Sequence, residues 1–214
     1  MTERKTDTAY RVYYFTVFFT GMGIMAIEMS AVRLMAPVFG TSMFVWTNVI
    51  ATIIAALTIG YSFGGTLADR YPDKAPFYAA IAFAGLLTLN LPFVAPIVMK
   101  ALVLRMEDAS QLLFYSGIAS FLLFFPPTLL LGMASPYAIR LCLQNLSEIG
   151  NVSGNIFCFS TTGSIVGTFA PPLWTLPILG TKKSFFLVAI ILILVALVGS
   201  YFAPSGKARV VGKQ

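Results

Sequence analysis

Histidine is missing altogether from this 214-residue chain, and cysteine occurs only twice. Without histidine the commonest ligand of haem and transition metals is gone, together with the usual proton shuttle near neutral pH. Metal-centred and proton-relay chemistry are therefore not expected, and no cofactor is implied. Cys142 and Cys158 lie apart in apolar sequence. They make no disulfide framework, imply no redox compartment and read as small buried fillers. Charge is scarce as well: Asp, Glu, Lys and Arg make up 10% of the chain, against 58% hydrophobic residues. A soluble domain is about a quarter charged, so this composition excludes a water-soluble globule and makes lipid the main solvent. At roughly 20 apolar residues per crossing, the length accommodates about six crossings in one domain, with almost nothing outside the membrane.

The apolar runs fall at 12–35, 45–67, 77–103, 112–139, 152–179 and 185–202. Between them stand Pro37 with Gly40, the polar run Asp69 to Lys74, Arg105 to Ser110, Gln144 to Gly150, and Gly180 to Lys183, which are breaker and charge signals. The expectation is an all-α integral membrane protein of six transmembrane helices. Its divisions are a basic tail over 1–11, a transmembrane domain over 12–203 and a second basic tail over 204–214. The first apolar run continues past Val12 to Met35 without a small-residue cleavage site, and so reads as an uncleaved helix. The net charge of +6 lies in tails and loops, which points to orientation in the bilayer and not to nucleic acid. With the amino terminus inside, Arg4, Lys5, Arg11, Arg70, Lys74, Arg140, Lys207, Arg209 and Lys213 face the cytoplasm. Lys100, Arg105, Lys182 and Lys183 face out. That bias puts both termini in the cytoplasm and suits a bacterial cytoplasmic (inner) membrane.

Laying the first three runs on the last three reveals a repeat. Ala31-Val32-Arg33-Leu34 matches Ala138-Ile139-Arg140-Leu141, and Gly60 with Gly64 matches Gly163 with Gly167 at nearly the same offset. Three helices displaced by three run in the opposite sense, so the expected architecture is two inverted three-helix repeats, as in many transporter folds.

After the second run, Gly65-Thr66-Leu67-Ala68-Asp69-Arg70-Tyr71-Pro72-Asp73-Lys74 resembles the cytoplasmic signature of the major facilitator superfamily. Physically, Asp69 can cap or pair across a helix end while Arg70 and Lys74 hold the loop at an anionic leaflet. A broader resemblance covers almost the whole chain. Glu28-Met29-Ser30-Ala31-Val32-Arg33-Leu34-Met35-Ala36-Pro37-Val38-Phe39-Gly40-Thr41-Ser42, then Val45-Trp46-Thr47-Asn48-Val49-Ile50 and Gly60-Tyr61, look like the membrane domain of the fused major-facilitator/spermidine-synthase-like proteins. Leu131 to Leu141, Gly154-Asn155-Ile156 and Ser160 to Thr168 continue the match. The resemblance implies a six-helix unit like one half of a major facilitator fold. In that family a cytoplasmic aminopropyltransferase-like domain follows the helices. Only Ala203 to Gln214 remain here after the last run, so such an activity is expected to need a separate protein.

Glu28 is the only carboxylate inside an expected span, and charge at membrane depth is costly enough to suggest a function. For a cationic substrate such as a polyamine it would supply counter-charge, with Trp46, Tyr61 and Asn48 as tentative companions and the aromatics offering cation-π faces. The structural alternative makes Glu28 a partner for Arg140, Arg33 or the loop after its helix. Arg33 stands five residues on, about 140° around a helix of 3.6 residues per turn, and so is not a same-face partner. Arg33 and Arg140, with Asp69 and Arg70, read as structural clamps or gating charges. Asn48, Asn90, Asn155 and the hydroxyl run Ser160 to Thr168 read as interhelical hydrogen-bond glue, and the paired glycines as close-packing points. Pro92, Pro96, Pro126, Pro127, Pro136, Pro171 and Pro172 predict kinks that free backbone carbonyls.

Three functions compete. The first is a non-catalytic module that anchors or assists a soluble aminopropyltransferase-like or methyltransferase-like protein or a larger membrane complex. The second is a half-size transporter of a small cationic metabolite, acting as a homodimer. The third, an intramembrane enzyme, is weakened by the lack of histidine, of paired carboxylates in a span and of a nucleophile motif.

Overall fold

Six expected apolar runs become five helices long and apolar enough to cross a membrane. The computed structural model describes residues 3–143 and 148–204, with side chains from Arg11 onward, that of Ala109 excepted. The expected carboxy-terminal tail beyond Pro204 and most of the expected Gln144 to Gly150 loop lie outside the described residues. The elements are α1 (Glu3–Phe39), α2 (Met43–Arg70), α3 (Lys74–Val103), α4 (Leu112–Gly132), α5 (Ala134–Cys142), α6 (Ile149–Ala170) and α7 (Leu176–Phe202). No strand occurs among the described residues. Helix is the form that satisfies every backbone donor and acceptor within one apolar segment.

Local chemistry accounts for the breaks. Gly40 takes φ 77° after the last turn of α1, and its N–H closes on the Ala36 carbonyl at 2.9 Å, the left-handed helix end that glycine adopts without steric cost. Between α2 and α3, Asp73 is extended at φ −128° and its carboxylate accepts from the Lys74 N–H at 2.7 Å, a side-chain N-cap. α4 and α5 meet at the turn residue Met133, three residues before Pro136, which has no N–H to give to the Gly132 carbonyl.

The largest departure from expectation is at Gly180. The apolar stretch Ile149–Phe202 counts as one helix of 54 residues, about 81 Å if straight, against a hydrocarbon core of about 30 Å. It is not regular. Pro171–Thr175 is a π turn, and Gly180 is non-helical at φ 77°, ψ 170°. The expected loop over Gly180 to Lys183 thus shrinks to a single residue that no side chain but hydrogen adopts cheaply.

α1 is the central helix. It packs most closely on α6, then on α7, with smaller contacts to α2, α3, α4 and α5. α2 lies along α4 and α5, α3 along α7 and α4. Glycines set the closest approaches. A Cβ at Gly60 would stand 2.5 Å from the Leu129 carbonyl oxygen and one at Gly64 2.7 Å from the Met133 backbone, while Cβ atoms at Gly163 and Gly167 would collide with the carbonyls of Phe18 and Met22. The four glycines read as packing points are therefore where α2 meets α4 and α6 meets α1.

Candidate functional site

A cluster of polar groups and a lone carboxylate stand at different depths. The first closes the end where α1 begins and α7 ends. Asp69, in the last turn of α2, accepts from Arg140 Nε on α5 at 2.8 Å. The Tyr137 hydroxyl, one turn before Arg140, donates to the Tyr71 carbonyl. Lys74 Nζ donates to the Ala203 carbonyl, and the Tyr13 hydroxyl to the Pro204 carbonyl at 3.2 Å. Beneath these bonds Tyr13, Phe77, Tyr78 and Tyr137 form an aromatic layer, with ring centroids 5.8 Å apart for Tyr13–Phe77, 4.8 Å for Phe77–Tyr78 and 5.6 Å for Phe77–Tyr137. Thr16 Oγ1 and the Tyr78 hydroxyl share a hydrogen bond at 3.4 Å. The signature segment thus ties α2, α3, α5 and α7 together at one end. Arg70 takes no part in the ion pair; its guanidinium lies 5.5 Å from the Tyr71 ring centroid.

The tyrosines of this layer carried no motif in the sequence. The hydroxyls of Tyr13 and Tyr137 reach backbone carbonyls and that of Tyr78 the Thr16 side chain, all of them partners distant in sequence.

The second feature is the single carboxylate of Glu28, deeper in α1. Glu28 is half-buried. Neither Arg140 nor Arg33 is its partner: Arg140 is engaged with Asp69, and Arg33 is exposed. Among the described residues Glu28 has no ion pair or hydrogen bond. The tentative companions do not converge on it. Asn48 donates to the Leu113 carbonyl and to Ser116 Oγ, both at 2.8 Å, and so ties α2 to α4. Trp46 and Tyr61 are exposed on α2, fifteen positions apart and hence about 22 Å along the axis.

Other polar residues divide by face. Asn90 donates to Leu86 O at 2.8 Å, and Asn155 donates to Asn151 Oδ1 at 3.1 Å. Both bonds stay within one helix, because both residues point away from the bundle where no helix lies opposite. Of the hydroxyl run on α6, Ser160 accepts from Ser135 at 3.3 Å and Ser164 donates to the Gly21 carbonyl at 3.3 Å, both across helices. Cys142 is buried as expected, whereas Cys158 is exposed on the outward side of α6, where the α1-facing glycines leave it turned away. No group of three or more potential metal-ligating side chains occurs among the described residues.

No family model, no curated protein and no solved structure matches this chain.

Proposed function

We propose that this chain is a non-catalytic, multi-pass membrane module, six crossings built as two inverted three-helix repeats like one half of a major facilitator fold. In this reading it works packed against another membrane-embedded unit of a larger assembly. What supports six crossings is that the end of α7 bonds to Tyr13 and Lys74 beside the start of α1. A first and a last crossing that meet on one side go with an even number of crossings, and in this reading the Ile149–Phe202 stretch crosses twice, folding at Gly180. What supports the repeat is the pattern of packing. Exchanging α1, α2 and α3 for α4 with α5, α6 and α7 turns the α1–α6 pair into α4–α2, turns α1–α7 into α4–α3 and leaves α3–α7 in place. All of these are observed pairs.

The observation that carries the functional reading is the chemistry of the outward faces. Ala51, Ala55, Thr58 and Ser62 are exposed along one side of α2, and Gly65 continues them with open space around it. Asn151, Asn155, Cys158 and Thr162 are exposed along one side of α6 at the same helical spacing. Bulky side chains flank these stripes, Ile54, Ile59 and Phe63 on α2 and Phe157, Ile165 and Phe169 on α6, while the outward faces of α3 and α7 carry Phe83, Leu86, Phe93 and Ile97, and Ile190, Leu194, Leu197 and Tyr201. Lipid tails accommodate bulky apolar side chains, while small residues and side-chain amides in a membrane mark helix–helix contact. α2 and α6 are the faces that a partner covers. The family resemblance makes an aminopropyltransferase-like or methyltransferase-like protein the soluble component of such an assembly.

A second reading, a half-size transporter of a small cationic metabolite acting as a homodimer, is favoured by Glu28 and uses the same faces. Purification in mild detergent with mass determination separates the two: another chain bound at fixed ratio supports the first, twice the monomer mass the second. Ala55→Leu combined with Asn155→Leu is expected to release the partner while the chain stays folded. A wild-type chain that is monomeric and alone in native-like nanodiscs overturns both.

A further inference from the structure

Gly21 and Glu28 stand seven residues apart on α1 and share one face of it. At Gly21 that face is pressed onto α6: a Cβ there would collide with the Ser160 carbonyl and stand 3.0 Å from Ser164 Oγ. The contacts of Gly163 with Phe18 and of Gly167 with Met22 advance by four residues on both helices, so α1 and α6 run parallel in constant register. Carried two turns on, the Gly21 contacts with Ser160 and Ser164 bring Glu28 to 167–171 and the Gly167–Met22 contact brings it to Leu173, so it falls at the level of the end of α6 and the π turn, against which α1 packs. Side chains of a helix lean toward its amino terminus, which carries the Glu28 carboxylate back toward that segment.

At this level the hydrogen-bond ladder of α6 is open. The carbonyl of Gly167 would accept from residue 171 in an α-helix and from residue 172 in a π-helix, and both are proline. The carbonyl of Thr168 loses its α-helical donor at Pro172 and keeps only the π-type donor, the Leu173 N–H. In the π turn that follows, the Leu176 N–H reaches the Pro171 carbonyl. π turns of this kind recur at functional sites, and carbonyls freed at membrane depth need a partner. Glu28 brings the complementary deficit, a carboxylate with no cation beside it among the described residues. Arg33 does not neutralise it, being turned about 140° away around α1. A single carboxylate with carbonyl oxygens is a hard, singly charged donor set, which matches a monovalent metal ion better than a divalent or thiophilic one.

We propose that Glu28 and the Gly167 and Thr168 carbonyls form a binding site for a monovalent alkali cation at the α1–α6 interface. The site lies within one chain and does not depend on the partner or the dimer. The test is thermal unfolding of the purified full chain in detergent, with sodium, potassium or lithium chloride replacing choline chloride at constant ionic strength. The expected result is a saturable rise in Tm with one of the alkali ions that choline does not produce and that is lost in Glu28→Gln. Pro171→Ala returns an N–H to the Gly167 carbonyl while keeping Glu28. It is expected to weaken the apparent cation affinity at least tenfold, with a Tm in choline equal to or above that of the wild type, which separates loss of the site from loss of the fold. Equal Tm in alkali and choline salts overturns the proposal. So does an undiminished response in Glu28→Gln, or an unchanged affinity in Pro171→Ala where Glu28→Gln fails to fold.

Discussion

The two arginines matched by the repeat have opposite surroundings. Arg140 finds Asp69 at 2.8 Å, but the position corresponding to Asp69 beside Arg33, offset as the paired glycines are, falls at Pro172. The ion pair therefore exists at one end of the bundle and has no counterpart at the other. Asp69 is 73% exposed and Arg140 36%, and pairs so open to solvent contribute about 0 to 1 kcal/mol. A double-mutant cycle of Asp69→Asn and Arg140→Gln, read by reversible unfolding in mixed micelles, is expected to give a coupling below about 1 kcal/mol that shrinks further in high salt. A coupling above about 2 kcal/mol would mean that this pair is shielded from solvent and holds the end shut by itself. That Asp69 pairs across a helix end was readable from its place in the signature; that its partner is Arg140 was not, because the two are 71 residues apart and meet only through the α2–α5 contact.

Between elements, backbone proximity does what apolar burial does in water. Lipid is as apolar as leucine, so helices gain from close fit and interhelical hydrogen bonds and not from exclusion of water. Gly167 and Gly65 make a controlled comparison, since both are helical glycines with ordinary backbone angles. The first rests on the Met22 carbonyl and the second has open space around it. Gly167→Ala is expected to push α6 off α1 and to reduce the yield of folded protein severely. Gly65→Ala is expected to leave Tm unchanged or slightly higher, because alanine is the better helix former by up to about 1 kcal/mol. Size-exclusion profiles and thermal unfolding of the two variants check this, and equal behaviour would refute the contact. Sequence spacing picked out Gly60, Gly64, Gly163 and Gly167 as close-packing points and left Gly65 out, and the four are the covered ones.

For the whole molecule, the number of crossings depends on Gly180. Its φ of 77° with ψ of 170° is open almost exclusively to glycine, and nothing lies within 4 Å of a Cβ built there. A side chain would therefore strain only the backbone, by about 1 to 3 kcal/mol. With a fold at this residue, cysteines introduced at Pro204 and Lys74 in a background lacking Cys142 and Cys158 are expected to react with an impermeant maleimide from one side of the membrane. A cysteine at Lys182 is expected to react from the other. Labelling of the Lys182 and Pro204 positions from the same side would remove the sixth crossing, and with it the inverted repeat.

Composition and hydropathy determined by themselves that this chain is helical and built of segments suited to a membrane, and where most of those segments end. Those properties are set residue by residue: each apolar run must close its own hydrogen bonds, and each Gly, Pro or charged cluster acts within a turn of itself. The tertiary structure alone decided which polar groups meet. It gave Arg140 to Asp69 and not to Glu28, turned Asn90, Asn155 and Cys158 outward, and scattered Trp46, Asn48 and Tyr61 away from Glu28. The physical reason is that partnership depends on the register and rotation of helices distant in sequence. Here these are settled by where a glycine lets one backbone reach another, which no local pattern encodes.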